Sequence, residues 1–314
     1  MRILTLTANL LAETTVDYTA WHEGTTVRAV TGSFQVGGKG VNTSRMLRRL
    51  GVDTEALCFP GGFTGARCEA WLRAVGLPFR AFATEQETRA GWVVRAPGRA
   101  ETTFLGTDNR IDAAAVSACA RALDEASDAT CLAVCGSVPG WDDSCWEPLR
   151  DALRRWAPVH PLAVDTYGPP LAWMAALPCA LVKINRKEFA GLTGDAESSL
   201  DDARMERCLA AIAAERPVRR WIVTDGPRAV WSIERGGAPV RVVPPRIHEV
   251  SPTGSGDVFF AAVLEALFVR ARPLHEAVAF ALPLAAANAA SPGVADFDLA
   301  PFGLRDRRIR VGSF

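Results

Sequence analysis

The segment SPTGSGDVFFAAVLEAL, residues 251–267, carries the clearest chemical signal in the chain. Pro252 ends an extended run, and Gly254-Ser255-Gly256 turns at once into a strongly apolar helix. The first amides of a helix find no partner inside it, and the helix dipole adds positive potential there. Small residues let an anion approach that backbone closely. Asp257 falls in the first turn. It is either a plain helix cap or a carboxylate placed to take a proton from an attacking hydroxyl. Amides of Gly254, Ser255 and Gly256 forming an anion hole beside such a base are the parts that phosphoryl transfer needs.

Three further segments could serve that chemistry. In VGGKGVNTSRMLRRLG (36–51), Gly38, Lys39 and Asn42 open a helix, which suits an anionic or polyhydroxyl ligand or makes a plain turn. Only Lys39, Lys183 and Lys187 are lysines in a chain otherwise rich in arginine, and an ammonium is a compact charge that a guanidinium fork does not mimic. In LVKINRKEF (181–189), Asn185 and Glu188 follow an apolar strand at its C-terminal end, where ligands bind in open α/β sheets. They could order a water-coordinated Mg²⁺ or simply cap a helix. Arg28 and Arg89 sit on two strand-rich segments, where a guanidinium could hold a phosphate in bidentate fashion or be merely solvated. The four histidines, at 22, 160, 248 and 275, form no cluster. There is no G-x-x-x-x-G-K-[ST] loop, no G-x-G-x-x-G after a strand, no H-E-x-x-H and no G-x-S-x-G elbow.

The elements that must position these residues alternate. Helices are predicted over 40–50, 64–76, 111–126, 145–156, around 199–215, near 254–270 and over 274–290. Strands are predicted over 54–61, 131–136, 161–166, 180–185 and 220–226. Short apolar strands joined by helices imply a parallel sheet covered on both faces. The fold class is therefore α/β, with helices on both faces of a mostly parallel central sheet. Residues 11–36 and 79–105 break the rhythm with alternating, β-branched and aromatic stretches, the second a hairpin with Gly98 in its turn. They are expected to form a small discontinuous β-sheet lid beside the cleft. The body then comprises 1–10, 37–78 and 106–314.

Composition narrows the function. The 314 residues carry 35 basic and 35 acidic side chains, with 49% hydrophobic residues. A balanced charge leaves no global attraction for nucleic acid or an anionic membrane, so an anionic ligand must be held by local groups. Glu13 interrupts the N-terminal run before a signal core could fit, and no stretch approaches a spanning helix. Eight scattered cysteines, with no Cys-x-x-Cys, read as reduced thiols in a cytoplasmic protein.

In order along the chain, GGKGVN (37–42), GGFTG (61–65), ETRAG (87–91), GSVPG (136–140), VDTYGPPL (164–171), KINRKE (183–188), TDG (224–226) and PTGSGD (252–257) resemble the motifs of the ribokinase-like (PfkB) carbohydrate kinases, in the 1-phosphofructokinase and tagatose-6-phosphate kinase branch. The resemblance implies a three-layer ribokinase-like fold and an ATP- and Mg²⁺-dependent kinase for a ketohexose phosphate. A kinase for a free sugar or nucleoside, or a silent binding regulator, remains the alternative. It assigns Asp257 as base, and the amides of Gly254, Ser255 and Gly256 as the anion hole. Gly38, Lys39 and Asn42 would hold the sugar, and Arg28 and Arg89 its phosphate. Lys183, Asn185, Thr224, Gly226 and Asn288 would hold ATP, with Glu188 and Asn185 arranging Mg²⁺ through water. A homodimer through the lid is also implied. Three positions depart from the pattern. Asn9-Leu10-Leu11-Ala12-Glu13 replaces Asn-Pro-Ala-x-Asp, so Glu13 would meet the sugar with a carboxylate one methylene longer. Ala90-Gly91 stands where Asn follows Thr-Arg, and Ile184 replaces a common Pro.

Overall fold

The computed structural model describes residues 1–126 and 130–306. Residues 307–314, counted above with the body, lie outside the described ones. The body is built on a nine-stranded sheet. From one edge to the other its strands are Val240–Val242, Ala229–Glu234, Arg220–Asp225, Leu181–Asn185, Leu162–Asp165, Thr130–Cys135, Arg2–Thr7, Thr54–Cys58 and Phe79–Ala81. All pairings are parallel except those of the first two strands named, which are antiparallel.

The apolar runs predicted as strands, together with Arg2–Thr7, which the sequence pattern did not mark as one, are buried on both faces because successive side chains point to opposite sides. Leu4, Leu6, Leu132, Val134, Val164 and Ile184 enter one core. Ile3, Cys131, Ala133, Ala163, Leu181 and Ile222 enter the other. The chain runs outward from Arg2–Thr7 through Thr54–Cys58 to Phe79–Ala81, then returns to Thr130–Cys135 on the opposite side. This reversal leaves a crevice between the C-terminal ends of Arg2–Thr7 and Thr130–Cys135, the usual ligand position in such sheets.

Two helices frame that crevice. Lys39–Arg49 starts at Gly38, whose φ of 115° is open to glycine and where a Cβ would lie 2.7 Å from Thr7 Cγ2. Ser255–Leu264 is apolar on every side and buried from Asp257 to Leu264. It packs between Lys39–Arg49 and Leu274–Ala289. A helix buried all round holds its first turn rigidly.

Leu11–Asp17, Thr31–Gly37, Ala90–Arg95 and Thr102–Leu105 form a separate four-stranded sheet. Leu11–Asp17 pairs antiparallel with Thr31–Gly37 and parallel with Ala90–Arg95, and the last two strands make the expected hairpin with Gly98 (φ 71°) in its turn. Phe79–Ala81, placed by the sequence pattern in the lid, instead extends the main sheet; three residues are too few to display a period. The antiparallel strands Ala229–Glu234 and Val240–Val242 are likewise absent from the sequence-based expectation. The lid hairpin is pinned to the body: the Glu101 carboxylate accepts from Arg95, from Ser251 Oγ at 3.0 Å and from Thr253 Oγ1 at 2.6 Å.

Candidate active site

Asn42 and Asp257, 215 positions apart, meet in the crevice: Asn42 Nδ2 donates to Asp257 Oδ2 at 2.8 Å. Asp257 is 7% exposed. Burial, then the nearby Asp165 carboxylate, raise its pKa to about 6 against the opposing pull of Lys39, Asn42 and Lys183. A carboxylate poised there is ionised at neutral pH yet basic enough to accept a proton. Asn42, expected on the sugar, has its amide N–H turned to the base, which it orients.

Lys39 and Lys183 converge on Asp165, a residue the sequence motifs placed in VDTYGPPL without assigning it a role. Lys39 Nζ donates to Asp165 Oδ1 at 2.7 Å and Lys183 Nζ to Oδ2 at 2.6 Å. Lys39 also lies 3.4 Å from Glu188 Oε1. Burial disfavours the Lys39 charge, but Asp165, Glu188 and Asp257 outweigh it and raise its pKa. For Asp165 burial likewise opposes ionisation, and the two lysines overcome it, so its pKa is lowered. A Cβ on Gly256 would lie 3.2 Å from Lys183 Nζ, so the Lys183 ammonium backs the glycine loop. The signal for Asp165 was the pair of lysines in a chain with only three; both need a buried anion.

The loop itself differs from expectation in one atom. Among the described residues, the N–H groups of Gly254 and Gly256 carry no hydrogen bond, whereas Ser255 N–H is drawn to Pro252 O at 3.2 Å. The loop therefore offers two free amides, not three, with the helix dipole behind them. Gly254 has a φ of 76°, and a Cβ there would overlap Val294.

Asn288, expected near a nucleotide base, is fully buried and spent on the loop. Its Nδ2 donates to Thr253 O and Ser255 Oγ, each at 3.0 Å, and its Oδ1 accepts from Ala295 N–H at 2.7 Å. It is a positioning residue for the amides. Asn185 caps the helix Arg186–Thr193 in a reciprocal box, accepting from Glu188 N–H while Glu188 Oε2 accepts from Asn185 N–H, both at 2.8 Å. Thr224 stands opposite Asn185 in the neighbouring strand, and Gly226 (φ 51°) turns the chain just beyond. Tyr167, Asn185, Lys187 and Glu188 line a cavity of about 580 Å³.

The acceptor side is drawn together only in part. Arg89 Nη1 lies 3.0 Å from Asp108 Oδ1, and its Nη2 is 3.4 Å from Asn9 O. Asn9 Nδ2 donates to Asp108 Oδ1 at 2.7 Å and to Ser137 Oγ at 2.8 Å, bridging the two strand ends that flank the crevice. Glu13 is buried in the lid sheet, where it accepts from Gln35 and, with Thr253, lines a cavity of about 180 Å³. Arg28 is exposed on the loop between two lid strands.

A 1-phosphofructokinase of Borreliella burgdorferi is 25% identical over 296 residues, 94% of each chain. The ATP-dependent 6-phosphofructokinase isozyme 2 of Escherichia coli is 26% identical over 297 residues, 93% of this chain and 94% of that one. The crystal structure of Escherichia coli phosphofructokinase-2 in complex with fructose-6-phosphate superposes with a TM-score of 0.82 at 21% identity, covering 92% and 93% of the two chains. The pfkB family carbohydrate kinase model matches residues 10–300; the chain belongs to that family, and it has the ribokinase-like fold.

Proposed function

We propose that this carbohydrate kinase transfers the γ-phosphoryl group of ATP to a hydroxyl of a ketohexose phosphate such as fructose-1-phosphate, fructose-6-phosphate or tagatose-6-phosphate. The observation that carries the reading is the Asn42–Asp257 contact at 2.8 Å, which brings the early lysine-bearing helix and the late glycine loop into one crevice. The full-length similarity to phosphofructokinases supports the substrate class.

In this reading Asp257 takes the proton of the acceptor hydroxyl, whose oxygen attacks the γ-phosphorus while the bond to the bridging oxygen breaks and ADP leaves. The free amides of Gly254 and Gly256, with the Lys183 ammonium behind them, face the charge that develops on the moving phosphoryl group. Lys39, held by Asp165 and Glu188, remains part-exposed toward the crevice. The donor set fits Mg²⁺ carried on the nucleotide. Among the described residues no three acidic, His or Cys side chains converge. Among the described residues Glu188 Oε1 has one long contact, with Lys39 at 3.4 Å, so Glu188 and Asn185 would reach the ion through water. When bound, Mg²⁺ neutralises phosphate charge.

We also infer a homodimer through the lid. Trp92 and Phe104 are cross-strand partners on one lid face, and both are about half exposed. The free state of all eight cysteines supports a cytoplasmic setting; among the described residues no helix is long and apolar enough to cross a membrane.

ADP release over the three ketohexose phosphates and the free sugars tests the reading. Acceptor-dependent release is expected with at least one ketohexose phosphate, and its absence with all of them would refute the substrate class. Arg89→Ala is expected to raise KM for that phosphosugar by about ten- to a hundredfold, as loss of a charged contact to phosphate does. An unchanged KM would remove Arg89 from the phosphate.

A further inference from the structure

Arg89, the guanidinium that the proposed function gives to the acceptor's phosphate, is already engaged by a carboxylate. Arg89 is 13% exposed in its side chain and pairs at 3.0 Å with Asp108, which is 53% exposed. The same oxygen, Asp108 Oδ1, accepts from Asn9 Nδ2 at 2.7 Å. Asn9 also donates to Ser137 Oγ. Asp108 thus sits on Arg89, with Asn9 and Ser137 beside it, as an anion from outside would. Two polar atoms of these residues are left wanting: among the described residues Arg89 Nε and Asn9 Oδ1 are both buried without a partner. Such orphans are costly unless something fills the pocket. The free Nε calls for an acceptor, and the free Oδ1 calls for a donor. A sugar hydroxyl is both at once, whereas a phosphate dianion supplies only acceptors.

We propose that Asp108 is a specificity-determining residue of the acceptor pocket, an internal stand-in for the acceptor's phosphate that competes with it for Arg89 and weighs against phosphorylated acceptors. The proposal rests on the sugar-kinase reading for its consequence in catalysis, but its physical core is competition for one guanidinium. A phosphate reaching Arg89 meets the Asp108 charge and must displace it, and like charges brought together at a binding site cost affinity. Displacement is open to Asp108 because its side chain is half in water and borders a cavity of about 690 Å³. A free ketohexose, with hydroxyls in place of phosphate, meets no such repulsion and can serve both orphaned atoms.

The test compares the full chain with Asp108→Asn and Asp108→Ala, each checked for an unchanged thermal midpoint. Calorimetry reads the Kd of inorganic phosphate, fructose-6-phosphate and fructose. Both variants are expected to bind the two phosphate-bearing probes about tenfold more tightly or better, with fructose shifted less than about threefold. Adding Arg89→Ala to Asp108→Asn is expected to abolish the gain, which assigns it to that guanidinium rather than to the glycine loop. Where an acceptor turns over, the kcat/KM ratio of phosphosugar to free sugar is expected to rise by the same factor. Unchanged or weaker phosphate binding in both variants overturns the proposal, as does an equal loss for phosphate and fructose, which would make Asp108 a mere support for Arg89. If no acceptor turns over at all, the kinase reading fails, and the phosphate titration still decides the role of Asp108.

Discussion

Asp257→Asn is expected to lower kcat by about 10²–10⁴-fold, the usual contribution of a positioned general base, while leaving ATP binding intact. The substitution keeps the shape and can still accept the Asn42 hydrogen bond, so the loss isolates the proton acceptor. Stability should move the other way. The pKa of Asp257 is raised from 3.8 to about 6 by burial and then by Asp165. A group raised in the folded state contributes its stability below the unfolded pKa and loses it as pH climbs through the folded one. Above pH 6 the parent therefore carries an ion the fold disfavours, and Asp257→Asn does not. The variant is expected to melt higher than the parent at pH 7.5, and the gain is expected to vanish near pH 4. Parental turnover in the variant would remove Asp257 from the chemistry. An inactive variant that is also less stable at pH 7.5 would point to a lost structural contact instead.

Asp165→Asn has the second largest expected effect, and it acts on both fold and rate. Among the described residues Asp165 is the one anionic partner of Lys183 and the closer of two for Lys39. Removing its charge leaves the buried Lys183 ammonium and the part-exposed Lys39 ammonium on one neutral amide, and breaking a buried pair such as Lys183–Asp165 costs about 3–5 kcal/mol. Urea denaturation is expected to show a lower midpoint with the slope unchanged. The pKa of Asp165 is lowered in the folded state because its lysines outweigh its burial. Its contribution is thus present above its unfolded pKa and is lost as pH falls through the folded one, so parent and variant should converge in acid. The same change removes the carboxylate that repels the Asp257 anion and frees Lys39 and Lys183 to attract it. The acid limb of activity is expected to move below pH 6. An unchanged midpoint and limb would mean that the lysines do not depend on Asp165.

Most of the architecture was legible because its signals are local and repeated. Apolar runs such as CLAVCG and ALVKIN lie on buried strands, and the helices after Gly38 and Gly254 begin within a residue of where small residues and spacing put them. Phe79–Ala81 was not legible, since an edge strand of three residues shows no period. The antiparallel pair Ala229–Glu234 and Val240–Val242 interrupts a rhythm that otherwise reads βα throughout.

The site was legible in its motifs and not in its pairings. Asp257, Lys39 and the glycine loop announce themselves through residue type and spacing. That Asn42 serves Asp257, that Asn288 braces the loop, and that Asp165 joins two lysines are long-range facts, separated by 215, 33 and as many as 126 positions. No local pattern encodes them. Asp108 is the sharpest case. Nothing in GTDNR marks it, and only the fold brings it against Arg89 and Asn9. Even so, the sparing use of lysine, with two of the three ending on one buried carboxylate, was a readable hint that an anion had to be waiting.

The most direct test of Asp257 as the base is the pH dependence of kcat/KM for a competent acceptor between pH 4.5 and 8.5, taken on the parent chain and on Asp257→Asn. The parent is expected to rise in proportion to the loss of one proton and to level off above a midpoint near 6, the value its surroundings give Asp257. The residual rate of the variant should lack that rise. A parent profile flat through this range, or a variant that keeps the same inflection, would place the proton acceptor on another group.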